Sequence, residues 1–219
     1  MFGRIMAGGV LAALLLLLAG WYWWFRRCNR LRGTEALRWI ERAIEDRGRI
    51  AAVRWVTASR FRVELDGLPA VFRHASIQGE LLPRQAPLHW LLSWLRRQRE
   101  TLRFEADLDA PPHFNLEVHH HRCWGARQRL PASAGNWQVE RLGPLLLTTR
   151  HEWQGNLSGL LPSLAASRAC DVLTVSFRRT SPHFSVTAPL EMLAPVAKGE
   201  TAIVDVLREL ATGAASAKL

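Results

Sequence analysis

The feature that most limits what this chain can fold into is an uncharged, strongly apolar segment near its N-terminus. Residues 5–25 contain no Asp, Glu, Lys or Arg, and they run from leucine-rich sequence into the cluster WYWWF. As an α-helix, this segment would extend about 30 Å, which is the thickness of the hydrocarbon core of a bilayer. The sequence therefore predicts one transmembrane helix over residues 5–25, preceded by a short tail at residues 1–4.

A cleaved secretion signal is the alternative for such a segment. Cleavage needs small side chains, but near Ala19 and Gly20 the position that prefers a small residue holds Leu17. A retained anchor is favoured by the aromatic residues that follow, because amphipathic rings suit the boundary between hydrocarbon and headgroups. The rings predicted to lie at this membrane interface are Trp21, Tyr22, Trp23, Trp24 and Phe25.

Positive charge is concentrated directly after the aromatic cluster. The chain has a formal net charge of +10, and ten arginines against four acidic residues fall between Arg26 and Arg60. Positively charged flanks favour the cytoplasmic side, so most of the chain is predicted to be cytoplasmic. The preference for arginine over lysine suggests a bacterial source, and hence a single-pass protein of the bacterial inner membrane. The basic juxtamembrane segment, residues 26–33, adds Arg26, Arg27, Arg30 and Arg32 to the predicted interface.

The rest of the chain is predicted to form one α+β domain over residues 34–212, with a frayed tail at residues 213–219. Apolar residues make up 48% of the sequence and charged residues 22%, which are ordinary values for a globular chain. Thr34 is a capping residue and is expected to begin a new helix after the anchor. Helical spacing predicts helices at residues 34–47, from residue 87, at residues 157–167 and at residues 200–211.

Strands are predicted wherever apolar and polar residues alternate. Short connections between them favour hairpins, so a mainly antiparallel sheet backed by helices is the economical arrangement. The expected hairpins join residues 49–57 to 59–66, 101–109 to 114–124, 137–142 to 145–153, and 171–178 to 183–187.

A histidine-rich stretch, FNLEVHHHRCW, is the sharpest candidate for chemistry. On a strand, alternation would send Glu117, His119, His121 and Cys123 to one face. Imidazoles two residues apart can share a metal with a thiolate, so His119, His121 and Cys123 are candidate zinc ligands. Glu117 and Cys123 would be about 20 Å apart, so the four residues cannot all reach one ion. A solvated polar face is the favoured interpretation, and no cofactor is predicted.

A second basic and aromatic patch follows the helix predicted from residue 87. Its arginines, Arg96, Arg97 and Arg99, adjoin Trp90 and Trp94. Arginines beside aromatic rings can hold phosphates and stack bases, which makes nucleic acid a candidate ligand. Contact with an anionic lipid surface explains the patch as well, and the membrane anchor makes nucleic acid the less expected partner.

The sequence contains no catalytic motif that would define a reaction. It has no phosphate-cradling glycine loop, no HExxH motif and no Asp-rich calcium loop, so a non-enzyme is the favoured prediction. We predict an accessory or assembly subunit of a larger membrane protein complex, for example a respiratory or photosynthetic one. Its partners would be the bilayer and integral membrane proteins. The alternatives are a tethered metal protein or enzyme that uses His119 and His121, or a module that binds anionic lipid or nucleic acid.

Overall fold

This computed structural model describes residues 2–45, 47–112, 114–120, 137–142, 145–150, 173–193 and 203–216. Within these ranges the chain forms three α-helices, one short 3₁₀ helix and nine strands, and all neighbouring strands are antiparallel. The predicted α+β class is therefore confirmed. The helices are α1 (Phe2–Ile44), α2 (Pro87–Leu95), α3 (Ile203–Ser216) and the 3₁₀ helix Leu190–Leu193. The strands are β1 (Arg49–Thr57), β2 (Arg60–Asp66), β3 (Phe72–Glu80), β4 (Thr101–Leu108), β5 (Leu116–His120), β6 (Trp137–Leu142), β7 (Leu145–Arg150), β8 (Thr174–Phe177) and β9 (Phe184–Pro189).

Helix α1 continues without a break from the apolar segment into the domain. It is 43 residues long, which corresponds to about 65 Å. From Gly8 onwards it contains a stretch of mean hydropathy 1.7 that is 0% buried, so it is long and apolar enough to span a membrane. The expectation that a separate helix begins at Thr34 is wrong, since the Thr34 hydroxyl donates to the Leu31 carbonyl (2.7 Å) inside α1. A nucleated helix gains one hydrogen bond for each residue added, and no proline interrupts α1 here.

The strand order is β1-β2-β3-β4-β9-β8-β5-β7-β6. The predicted hairpins β1–β2, β6–β7 and β8–β9 are confirmed. The predicted pairing of residues 101–109 with 114–124 is wrong, because β4 lies between β3 and β9 while β5 lies between β7 and β8. Pairing with β9 places Phe104 of β4 opposite Val186. Burial of apolar side chains, rather than closeness in sequence, thus decides the partner of β4.

Strand β3 is the one described strand that the alternation of the sequence does not predict. Its residues Ala75, Ser76 and Ile77 are buried consecutively, so the apolar and polar positions do not alternate. Both neighbours of β3 pair with it along most of its length. Alternation identifies a strand with one solvated face, and here both faces of β3 are covered, since Ser76 is buried as well as Ala75 and Ile77.

The core lies between the apolar face of the sheet and the helices. Ala36, Ile40 and Ile44 of α1 are at most 3% exposed and belong to the same buried cluster as the sheet residues. This helical stripe therefore covers the sheet, as the sequence favoured. Helix α3 adds further buried residues to the cluster, and it ends at Ser216, beyond the expected stop at Gly213, because alanines follow this glycine.

Helix α1 approaches the sheet closely at Gly33. A Cβ atom added there would overlap the indole of Trp55 on β1. The same indole packs on Phe61, with ring centroids 5.3 Å apart, and the guanidinium of Arg30 lies 4.1 Å from its ring centroid. Gly33 thus lets β1 pack directly on the backbone of α1, where any larger residue would hold the strand away.

Candidate membrane interface

Helix α2 lies beside α1 at the level of the aromatic cluster. The indole nitrogen of Trp21 donates a hydrogen bond to the Arg84 carbonyl (3.0 Å), and the Trp21 ring lies 6.2 Å from the ring of Trp90 on α2. Phe25 packs on Trp21 from within α1, with ring centroids 4.5 Å apart. The first ring of the predicted belt therefore docks the segment that carries α2 onto α1.

The remaining three rings of the predicted belt point away from the protein. Tyr22, Trp23 and Trp24 are 47%, 62% and 61% exposed. Within about one turn of α1, Trp21 therefore faces the segment that carries α2, whereas Tyr22, Trp23 and Trp24 face outward and are free to contact lipid. Aromatic side chains with this exposure are typical of the boundary between hydrocarbon and headgroups.

A buried polar cluster joins α1 to the segment on either side of α2. Asn29 is 0% exposed, and its side-chain nitrogen donates to the Leu82 carbonyl (3.1 Å) and to Oε1 of Gln85 (3.0 Å). The Glu100 carboxylate, whose side chain is 7% exposed, lies 2.8 Å from the Arg84 guanidinium and 3.1 Å from that of Arg32. Buried polar groups such as these are stabilising only when they are paired.

These contacts fix the height of α2 along α1. The contacts with α1 extend from Trp21 to Arg32, which corresponds to about 16 Å of helix. Residues 82–85, which precede α2, contact α1 at Trp21 and Asn29. Glu100, which follows α2, contacts α1 at Arg32, the C-terminal end of this stretch. The segment between them therefore projects along α1 towards its apolar N-terminal section, with α2 beside Trp21.

The surface of α2 is unusual for a helix of a folded domain, because only Ser93 is buried. Pro87 begins the helix at its first turn, where proline is well tolerated. No acidic residue occurs between Glu80 and Glu100. The exposed apolar side chains of α2 are Leu88 (76%), Leu91 (46%), Leu92 (47%), Trp94 (64%) and Leu95 (63%).

The C-terminal end of α2 is closed by a backbone motif. The Gln98 N–H donates to the Ser93 carbonyl (2.9 Å), and the Arg97 N–H donates to the Trp94 carbonyl (3.0 Å). This is the Schellman arrangement, in which the residue after the helix adopts a left-handed conformation and is usually glycine. Here that residue is Arg97, with a φ of 50°. An arginine therefore occupies a position that glycine would occupy with less strain.

The predicted basic residues separate into two groups. Arg26 and Arg27 are exposed on α1. Arg30 and Arg32 contact the domain, through Trp55 and Glu100 respectively, although the Arg32 side chain remains 56% exposed. Arg96, Arg97 and Arg99 are all exposed beyond α2, and Arg99 lies 3.8 Å from the exposed Glu191. The sequence did not identify Asn29, Arg84, Gln85 or Glu100, because no local pattern distinguishes a buried polar residue from a solvated one.

The candidate metal site is only partly within the described residues. His121 and Cys123 lie outside them. Nε2 of His119 is 3.6 Å from the Glu117 carboxylate and Nδ1 is 3.3 Å from the Thr174 hydroxyl, so the predicted shared face of Glu117 and His119 is confirmed. The pKa of Glu117 is lowered to about 2, first by the contact with His119 and then by the hydrogen bond from Arg178. Burial of the carboxyl group opposes this shift. Among the described residues, no group of three or more potential ligands converges.

Comparison with known proteins adds no relative. The chain matches no protein-family model, and no curated protein matches it in sequence. Its function must therefore be inferred from the interface itself.

Proposed function

We propose that the protein is a single-pass membrane protein, and that it serves as a non-catalytic accessory or assembly subunit of a larger membrane protein complex. The observation that carries this proposal is the unbroken course of α1 from the apolar segment into the core of the domain. A flexible tether would allow the domain to move freely. A continuous helix instead holds the domain at one height and one orientation, which suits a subunit that must contact partners in the membrane and beside it.

The surface of the anchor supports a role in association. Its apolar side chains between residues 10 and 18 have no partner among the described residues, with exposed fractions of 44% to 75%. Gly8 and Gly9 have open space where a side chain would be, and Ala12 and Ala13 follow each of them by four residues. Small residues at this spacing let a neighbouring transmembrane helix approach closely.

The proposed orientation places the domain in the cytoplasm of a bacterial cell, at the inner membrane. Arg26 and Arg27 remain exposed directly after the aromatic cluster, as the positive-inside tendency requires of a cytoplasmic flank. Only Arg4 carries positive charge in the short tail on the other side of the predicted span. Attachment of a bulky thiol reagent to engineered cysteines in sealed spheroplasts tests this orientation.

Anchoring is tested by paired charge substitutions on α1. Leu15→Lys combined with Leu16→Lys places two charges in the centre of the predicted span, at a cost of about 3 kcal/mol each. We expect this variant to be released from membranes by carbonate washing. Leu31→Lys is the matched control, because Leu31 is 58% exposed on the same helix beyond the predicted span, and this variant should stay bound. Release of both variants, or of neither, would contradict the assignment of the anchor.

The role as a subunit is tested separately by gentle detergent extraction of the full chain. We expect the protein to be purified together with integral membrane proteins in a fixed ratio, which mass spectrometry identifies. The Leu15→Lys and Leu16→Lys double variant should lose these partners. Purification as a solitary monomer from the same membranes would refute the accessory-subunit role and leave the anchor intact.

A further inference from the structure

We propose that α2 is a second membrane contact, which inserts its apolar side chains into the interfacial layer of the same leaflet that receives the aromatic cluster. Arg96, Arg97 and Arg99 then meet anionic headgroups at the end of α2. The proposal rests on the proposed function, since α1 must be in the bilayer for α2 to reach it.

The first argument is the position of α2. Trp21 touches both the Arg84 carbonyl and the ring of Trp90, so α2 lies at the depth of the first aromatic ring of the anchor. The aromatic cluster forms the end of the predicted span, so Trp21, its first ring, lies near the boundary between hydrocarbon and headgroups. The polar cluster of Asn29 and Glu100 prevents the segment from sliding along α1. Lipid is therefore already beside α2, and no partner has to be recruited to cover it.

The second argument is the chemistry of the exposed surface. Leu88, Trp94 and Leu95 are each more than 60% exposed, an arrangement that water disfavours and an interfacial layer accepts. Four arginines and no acidic residue occur between residues 81 and 99. A cationic cluster beside an apolar helix complements a surface of anionic lipid, whereas a neutral protein partner would gain nothing from the arginines.

The third argument is Arg97. Its φ of 50° places it in the left-handed region, where a glycine would complete the Schellman motif with less strain. A strained residue of this kind is typical of a functional position. A headgroup contact made by its guanidinium explains why a charged side chain occupies this position.

The test uses spin labels on the full chain in lipid vesicles, with the native cysteines replaced by alanine. Leu88→Cys and Leu95→Cys report on α2. Leu16→Cys reports on the anchor, because Leu16 is 75% exposed in the native chain. Ala110→Cys reports on an exposed turn after β4. This turn lies about 20 Å or more from the start of β4, which is the end nearer to α2 in the sequence. Collision with oxygen measures exposure to lipid, and collision with a water-soluble nickel complex measures exposure to water.

We expect the labels at positions 88 and 95 to collide with the nickel complex several-fold less often than the label at position 110. A label at position 16 that is open to the nickel complex would refute the anchor and hence the proposed function. A protected label at position 16, combined with α2 labels as accessible as the one at position 110, would refute this inference alone. If the α2 labels are protected but their spectra broaden one another and sharpen on dilution with unlabelled protein, a second copy of the chain covers α2. That result would refute the lipid contact.

A second measurement separates the arginines from the apolar side chains. We expect Arg97→Gly to raise the thermal midpoint of the protein, because glycine relieves the left-handed backbone. The same substitution should reduce the extra protection of the α2 labels in vesicles that contain phosphatidylglycerol, relative to phosphatidylcholine alone. If phosphatidylglycerol protects the α2 labels equally in the native chain and in Arg97→Gly, the headgroup contact of Arg97 is refuted.

Discussion

Glu100 connects α1 to the segment that carries α2. It receives ion pairs from Arg84 and Arg32, and the Leu82 N–H donates to the same carboxylate (3.3 Å). Charges that have lost their hydration stabilise a fold only as long as each keeps its partner. Because Arg32 belongs to α1 and Arg84 to the segment before α2, one carboxylate holds both elements at the start of β4.

We expect Glu100→Gln to lower the free energy of unfolding by about 2–3 kcal/mol, since the half-buried Arg84 guanidinium loses its countercharge. Thermal unfolding of the full chain in detergent micelles measures the loss. The matched control is Glu191→Gln, because Glu191 and Arg99 are 3.8 Å apart and both well exposed, and such pairs contribute about 0–1 kcal/mol. Equal losses in the two variants would show that Glu100 is no more important than a surface carboxylate.

Glu117 makes the stability of the sheet depend on pH. Its pKa in the folded chain is about 2, below the ordinary value of 4.5, because of the contact with His119 and the hydrogen bond from Arg178. A carboxyl group with a lowered pKa stabilises the fold while it is ionised. Its contribution is therefore complete above pH 4.5 and is lost as the pH falls towards 2.

We expect Glu117→Gln to lower the free energy of unfolding by about 1 kcal/mol at neutral pH, because charged hydrogen bonds are lost. The difference from the native chain should shrink as the pH falls from 4.5 to about 2, where the native carboxylate also becomes neutral. Urea unfolding at a series of pH values measures both quantities. A difference that is constant across this range would mean that ionisation of Glu117 does not stabilise the fold.

At the scale of elements, the contact of α1 with β1 depends on the absence of a side chain at Gly33. The indole of Trp55 occupies the space that a Cβ would fill. The sequence shows Gly33 only as a weak position in a helix, and it suggests a stop rather than a contact. The structure shows that this glycine allows a strand and a helix to pack at short distance.

We expect Gly33→Ala to lower the free energy of unfolding by about 1–3 kcal/mol, because the indole must move although alanine is the better helix former. The control is Gly20→Ala, where nothing lies within 4 Å of an added Cβ, and no loss is expected. Trp55→Leu in the Gly33→Ala background should cost less than Trp55→Leu in the native chain. Additive effects in this double-mutant cycle would show that the two residues are not coupled.

At the scale of the whole molecule, α1 is both a helix long and apolar enough to span a membrane and a helix of the core. Each residue added to a helix turns everything beyond it by about 100° and moves it by about 1.5 Å. An insertion therefore has very different consequences on the two sides of Trp21. An insertion N-terminal to Trp21 changes only the length of the exposed part of α1. An insertion between Trp21 and Asn29 prevents the contacts of these two residues from forming together.

We expect one alanine inserted between Phe25 and Arg26 to lower the thermal midpoint, because Trp21 turns away from Arg84 and Trp90 while Asn29 keeps its place. The matched control is one alanine inserted between Leu15 and Leu16, where the neighbouring side chains are 58% and 75% exposed. That insertion should leave the midpoint unchanged. A loss of similar size from both would mean that the domain does not depend on the orientation of α1.

The sequence by itself determined the local features of this protein. An uncharged stretch as long as a bilayer is thick predicts a helix over residues 5–25, and α1 includes these residues. Alternation predicted β2, with Phe61 and its alternate neighbours buried, and helical spacing predicted the stripe of Ile40 and Ile44. These predictions succeed because periodicity reports which side of an element is apolar, and that property depends only on neighbours in the chain.

Only the tertiary structure decided which elements meet. The separation of β4 from β5, the course of α1 through Thr34, and the pairing of Glu100 with arginines of two elements all depend on contacts between distant residues. The same holds for α2, whose stripe the sequence predicted but whose exposure beside Trp21 it did not. A pattern along the chain shows that a surface is apolar, but only the packed molecule shows whether protein covers it.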